Sequence, residues 1–121
     1  MIGIIGQGFV GNAVYQKFKK YYDVVTNDLD ETKSTATLSN LVMICDTIFL
    51  CLPTPMKKSG ECDVSIVEKV LGGIDLLVDN LEQLRTIVVK STIPPGTTDR
   101  WNEKYDSLNI VFNPEFLTER N

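Results

Sequence analysis

MIGIIGQGFVG, residues 1–11, carries an apolar run, Ile2–Ile5, directly into Gly-x-Gly, and the residues after it place Val10, Val14 and Phe18 at i, i+4 spacing. An apolar run that breaks into glycines and resumes at helical spacing reads as strand, tight turn, helix. Gly6-Gln7-Gly8-Phe9-Val10-Gly11 is G-x-G-x-x-G. Residues 23–26 (DVVT) are a second, β-branched stretch that meets a polar cluster at 27–32, and Asp28 stands at its end, about 20 residues beyond the first glycine. Each part of this pattern has a physical role. Gly6 permits the tight turn, Gly8 lets the backbone approach a pyrophosphate, Gly11 allows close packing of helix on strand, and the helix N-terminus offers N–H groups and a positive dipole end. Asp28 suits both hydroxyls of an adenosine ribose and repels a 2′-phosphate, which favours NAD over NADP. Asp30 competes for that role, and Lys33 lies close by. The bland alternative is a glycine-rich turn that binds nothing, with Asp28 a loop carboxylate or helix cap.

Outward from this unit the alternation continues. Residues 47–52 (TIFLCL), 86–89 (TIVV) and 109–112 (NIVF) are further apolar runs, each closed by a proline-containing loop. Between the first two, Ile66, Val67, Val70, Leu71, Ile74, Leu77 and Val78 share one helical face, Ser65 and Glu68 have capping-box spacing, and Gly72-Gly73 weakens the helix locally. Trp101 and Tyr105, four apart, predict a short helix before the last strand. Strands apolar on both faces and separated by helices give an α/β fold: a doubly wound parallel sheet of Rossmann type, in one domain. Residues 29–39 (LDETKSTATLS) read as an abbreviated connection with a short strand near 34–37 and no room for a full helix plus strand.

Composition narrows the chemistry. The 121 residues contain no histidine, which removes catalytic triads, His-containing zinc sites and imidazole bases. No metal is expected. The net charge of −4, with lysines scattered rather than striped, is a poor footprint for nucleic acid or an anionic membrane. Cys45, Cys51 and Cys62 are an odd number without C-x-x-C spacing, so a reducing, cytoplasmic compartment is expected. Cys45 and Cys51 read as core residues. The start shows no basic, cleavable leader, and no apolar run is long enough to span a bilayer.

In a doubly wound sheet, ligands sit outside the carboxyl ends of the strands. Three loops leave the later strands there, at 53–56 (PTPM), 91–96 (STIPPG) and 113–115 (NPE), and carry Thr54, Ser91 and Thr92, and Asn113 and Glu115. For one such loop, strand termination by proline is the simpler reading; three aligned loops predict a shared crevice with the glycine turn.

At this point four blocks in order, 6–11 (GQGFVG), 52–63 (LPTPMKKSGECD), 90–97 (KSTIPPGT) and 113–119 (NPEFLTE), resemble the amino-terminal domain of the UDP-glucose/GDP-mannose dehydrogenase family. The resemblance covers nearly the whole chain, and its last two blocks are far more specific than the glycine motif. It implies an enzyme that oxidises the 6-hydroxymethyl group of a nucleotide sugar to a carboxylate, using two NAD in succession, through a thioester on a cysteine. By position it implies that Gly6, Gly8, Phe9, Val10 and Gly11 hold the pyrophosphate, Asp28 the ribose, and Lys33 the neighbouring basic position. Thr54, Ser91 and Thr92 then line the nicotinamide side, Thr92 and Glu115 orient the water of the hydrolytic step, and Glu119 lies at the substrate edge. The segment between Asp28 and the strand at Thr47 is shorter than usual in the family, which implies a missing peripheral helix. The chain also stops at Asn121, before the second domain that carries the family's nucleophilic cysteine; none of Cys45, Cys51 or Cys62 matches it.

The expectation is therefore a single NAD-binding domain, 1–121, a fragment of a longer two-domain nucleotide-sugar 6-dehydrogenase and inactive alone. The rivals are the corresponding domain of a 3-hydroxyacid or 6-phosphogluconate-type dehydrogenase, against which NPEFL argues, and a free-standing dinucleotide-binding module without turnover. Apolar surface exposed where a second domain docks favours a homo-oligomer.

Overall fold

The computed structural model describes residues 1–113 apart from Asn80 and Glu82. β1 (Ile2–Ile5), β2 (Val24–Asn27), β3 (Thr47–Leu50), β4 (Arg85–Val89) and β5 (Leu108–Phe112) form one sheet in the order β2-β1-β3-β4-β5, every pairing parallel. That is the doubly wound order 3-2-1-4-5-6 with its outer strand removed. The connections carry α1 (Phe9–Phe18), α2 (Leu38–Ile44), α3 (Ser65–Val78) and α4 (Thr97–Lys104). β3 ends two residues earlier than the run TIFLCL suggests: Cys51 N–H still donates to Ile5 O of β1 at 2.8 Å, but Leu52 N–H donates to the Ser91 hydroxyl at 3.1 Å rather than to a strand.

Alternation along the strands divides the core. Ile5, Ile48, Leu50, Ile87, Val89 and Ile110 face α2, α3 and α4, whereas Ile4, Phe49 and Val88 face Val14 and Val10 of α1. Both sheet faces are therefore apolar, as strands in parallel sheets require. On α3, Val67, Leu71, Ile74 and Val78 are buried while Ile66 is exposed.

The predicted capping box at the start of α3 does not form. Asp63 Oδ1 accepts the Ser65 N–H at 3.0 Å, and the hydrogen bonds from Ser65 hold the Asp63 carboxyl below its ordinary value. Glu68 is used elsewhere: its Oε2 accepts Trp101 Nε1–H at 3.0 Å, and its carbonyl accepts the Tyr105 hydroxyl at 3.3 Å, locking α3 to α4.

The connection from β2 to β3 also departs from expectation. No strand forms near 34–37; instead the N–H groups of Thr35 and Ala36 both donate to the Thr26 carbonyl, at 2.9 and 3.2 Å, after a 3-10 turn at Glu31–Lys33. α2 then follows, started by Thr37, whose Oγ1 accepts the Asn40 N–H at 3.2 Å. This helix packs directly on β1: a Cβ on Gly3 would lie 2.6 Å from Leu41 Cδ2.

The last carbonyls of α2 are met from a distance. Arg85, 6% exposed, donates from Nε to Val42 O at 2.9 Å and from NH2 to Met43 O at 3.1 Å. The last turn of α2 contains no basic residue of its own, so a buried guanidinium from β4 supplies both the capping hydrogen bonds and the favourable charge. At the other side of the sheet, Asn102 of α4 covers the outer edge of β5. Its Nδ2 donates to Ile110 O at 2.9 Å and its Oδ1 accepts Ile110 N–H at 2.8 Å, in place of a neighbouring strand.

Replacing Arg85 with Met keeps most of the apolar stem and removes the charged donors. Arg85→Met is expected to lower unfolding free energy by about 2 kcal/mol, read as a lower urea midpoint in the fluorescence of Trp101, the sole tryptophan.

Candidate functional site

The site begins where β1 leaves the sheet. Gly6 has φ +96°, and a Cβ there would overlap the Cys51 carbonyl oxygen; a Cβ on Gly11 would overlap the carbonyl oxygen of Gly6. Helix α1 therefore starts in direct backbone contact with the turn. Gly8, its N-cap, is different: its φ of −74° is open to any residue, and a Cβ there would meet nothing within 4 Å. No side chain caps α1 and its first turn contains no acid, so its N–H groups and positive dipole end stay uncompensated by this helix's own residues.

Asp28 joins this turn to the end of β2. Its Oδ2 accepts the Gln7 N–H at 2.6 Å and its Oδ1 the Asp30 N–H at 2.9 Å. Asp30 is committed to the 3-10 turn, where its Oδ1 accepts both the N–H and the hydroxyl of Thr32, at 3.0 and 2.6 Å. Those bonds hold the Asp30 carboxyl below its ordinary value. The loop is closed by Ser34, which accepts the Asp28 N–H at 2.9 Å, and by Thr26, whose hydroxyl donates to Lys33 O at 2.8 Å.

A crevice of about 880 Å³ opens over the carboxyl ends of β1 to β4. Of the residues singled out in the sequence, Gly6, Gly8, Phe9, Val10, Asp28, Lys33 and Ser91 line it. Gly11 lies beneath the turn and acts through packing. Thr54 and Thr92 follow β3 and β4 at the same edge of the sheet but are not among the lining residues. Ser91 reaches the crevice floor, yet its hydroxyl is already engaged: it donates to Leu52 O at 2.6 Å and accepts the Leu52 N–H at 3.1 Å, tying the exit of β3 to that of β4. Glu115 and Glu119 lie outside the described residues.

Sequence reasoning did not anticipate the far wall, which α3 builds from Ile66, Lys69, Val70 and Gly73. The signal was present in Gly73, whose missing side chain leaves space on this face, and in Ile66, which belongs to the apolar stripe but faces the crevice rather than the core. Cys51, half-buried, packs against the Ile4, Val14, Phe49 and Val88 cluster as the core reading expects, and it also lines the crevice. Cys45 is fully buried, and burial pushes its thiol up. Among the described residues no helix is long and apolar enough to cross a membrane.

Comparison with known proteins adds to this geometry. Residues 24–121 match the NAD binding domain of the UDP-glucose/GDP-mannose dehydrogenase family. The match begins at β2, so the glycine turn stands on its own geometry. A UDP-glucose 6-dehydrogenase of Rickettsia bellii is 34% identical over 87% of this chain and 24% of its own length. A GDP-mannose 6-dehydrogenase of Pseudomonas aeruginosa is 30% identical over 70% of this chain and 22% of its own. The chain spans about a sixth to a quarter of the length of such curated relatives. Among solved structures, a UDP-glucose dehydrogenase from Pyrobaculum islandicum superposes with a TM-score of 0.83 at 22% identity, covering 98% of this chain and 36% of that one, which establishes the shared fold.

Gly8 and Gly11 separate binding from stability. Gly11→Ala is expected to lower stability by about 3 kcal/mol through overlap with backbone, seen in thermal melts. Gly8→Ala is expected to leave the melting temperature unchanged and to weaken NADH binding about tenfold or more by filling the approach to α1, seen in calorimetry.

Proposed function

The chain belongs to the UDP-glucose/GDP-mannose dehydrogenase family, as an NAD-binding domain, and from that premise we propose that it is the cofactor half of a nucleotide-sugar 6-dehydrogenase. The observation that carries the reading is one juxtaposition: the open, uncapped N-terminus of α1 at Gly8 and the Asp28 carboxylate, held together through the Gln7 N–H, face the same crevice. An anion fits the first and a vicinal diol the second. A dinucleotide carries both groups.

In this reading the pyrophosphate lies against the N–H groups of the first turn of α1, over Gly8. Asp28 accepts from the ribose hydroxyls with the lone pairs that Gln7 and Asp30 leave unused. The apolar wall of Leu52, Ile66 and Val70 takes the base. Bound NAD supplies a hydride acceptor; the residues of this chain bind it, orient it and shield it from water. Ser91 fixes the relative position of the β3 and β4 loops. Thr54 and Thr92 reach the nicotinamide side on closure, Thr92 with Glu115 orients a water, and Glu119 meets the sugar. The sugar 6-hydroxyl is oxidised to a carboxylate only with a second domain that brings a nucleophile and the opposite wall of the cleft. The odd cysteine count and the buried Cys45 thiol support a reducing, cytoplasmic setting, and a homo-oligomer fits the exposed apolar residues Met43 and Leu84.

Two measurements test this. Calorimetric titration is expected to show NADH bound at least about tenfold more tightly than NADPH, because a 2′-phosphate would meet Asp28; equal affinities contradict the ribose assignment. Incubation with NAD and either UDP-glucose or GDP-mannose is expected to give no NADH from this chain alone. Appreciable NADH that disappears in Cys62→Ser would contradict that expectation.

A further inference from the structure

The crevice is lined chiefly by apolar side chains, and its polar ones divide by what they can still accept. Lys33, Lys69 and Lys90 carry ammonium groups, which donate and do not accept. The Ser91 hydroxyl both donates to and accepts from Leu52, and Asp28 is the ribose partner in the reading above. Asn27, the last residue of β2, remains. It pairs with Ile5 in the parallel register of β1 and β2, and its backbone carbonyl accepts the Gly6 N–H at 2.8 Å. Its side chain is held from one end: Nδ2 donates to Ala36 O at 3.0 Å, in the loop that leads into α2. Among the described residues, no group donates to its Oδ1.

We propose that Asn27 Oδ1 accepts a hydrogen bond from the 6-amino group of the adenine, which makes Asn27 the residue that selects an adenine dinucleotide over one whose base carries an oxo group at that position. The inference rests on the reading above that a dinucleotide occupies this crevice with its ribose at Asp28. Asn27 directly precedes Asp28, so base and ribose fall to consecutive residues at one strand end. Leu38, Leu52 and Val70 line the same crevice. A base between them loses its water, and an exocyclic amino group there needs an acceptor. Asn27 Oδ1 is the side-chain acceptor left for it. The bond to Ala36 supplies the discrimination. A free carboxamide would turn over and offer Nδ2 to a 6-oxo group, but turning Asn27 would set its Oδ1 against Ala36 O, two acceptors with no proton between them. A hypoxanthine base therefore meets an acceptor with an acceptor. That mismatch, as much as the bond to adenine, sets the preference.

The test compares NADH with the reduced dinucleotide that carries hypoxanthine in place of adenine, which differs from NADH at this edge of the base alone. Calorimetry on the parent chain is expected to show NADH bound about tenfold or more tightly than the hypoxanthine analogue. Asn27→Leu keeps a similar volume and removes both amide groups, and Asn27→Ala is a smaller second variant should the first unfold; the melt followed through Trp101 checks both. In the folded variant the preference is expected to fall to about twofold or less. A purely structural role for Asn27, exerted through its bond to Ala36, would weaken both dinucleotides equally and leave their ratio intact, and a ratio that survives the substitution overturns the proposal. Equal affinity of the parent chain for the two dinucleotides overturns it too and leaves the cofactor reading standing. Failure of the parent chain to bind either dinucleotide overturns the cofactor reading and this inference with it.

Discussion

The turn after β1 is pressed on by backbone from two directions, and both contacts exclude a side chain. The Cys51 carbonyl of the neighbouring strand occupies the space of a Gly6 Cβ, and the Gly6 carbonyl occupies that of a Gly11 Cβ. Hydrogen bonds fix the same point: Gly6 N–H donates to Asn27 O at 2.8 Å and Cys51 N–H to Ile5 O at 2.8 Å. The ends of β1, β2 and β3 are thus brought to one level, with α1 rising from them at a set distance. Atoms close-packed in this way leave little freedom. Gly8 is the exception, and its openness is where the proposed function places a ligand's anion. The crevice is a consequence of this packing rather than a separate construction.

The abbreviated connection between β2 and β3 shows how a small sheet keeps its second face covered. Two turns of helix are marginal alone. α2 persists because Leu41 and Val42 are buried, because Gly3 lets Leu41 approach β1 closely, and because Arg85 caps its end from β4. The loop before it is held by Thr26 and Ser34, and this loop presents Asp28 and Lys33 to the crevice. The residues that stabilise the shortened connection are therefore the supports of the two groups expected to read the ribose.

Much of this was legible in the sequence because its signals are local. Short apolar or β-branched runs located each of the five strands within two residues, four of them closed by glycine or a proline-containing loop and β2 by a polar cluster, and the glycine spacing with Asp28 located the turn and its partner. α2 was misjudged although Leu38, Leu41, Val42 and Cys45 have the spacing i, i+3, i+4, i+7; seven residues between polar threonines and a strand gave that period too few repeats to register. The capping box failed for a tertiary reason: Glu68 is drawn away by Trp101, 33 residues on. Loop chemistry was read less well than loop position. Ser91, Thr92 and Thr54 are all hydroxyls at the correct edge, but which of them turns into the crevice depends on a bond between Ser91 and Leu52 that spans 39 residues. The wall from α3 was missed because Ile66, Lys69, Val70 and Gly73 become one surface only when α3 lies across the strand ends.

The central claim is that the open N-terminus of α1 and the Asp28 carboxylate act on one dinucleotide. A crystal structure of this chain with NAD tests it most directly. The account predicts pyrophosphate oxygens within about 3.2 Å of the first N–H groups of α1 and ribose hydroxyls within the same reach of Asp28. A dinucleotide bound away from Gly8, or with its ribose turned from Asp28, would contradict it.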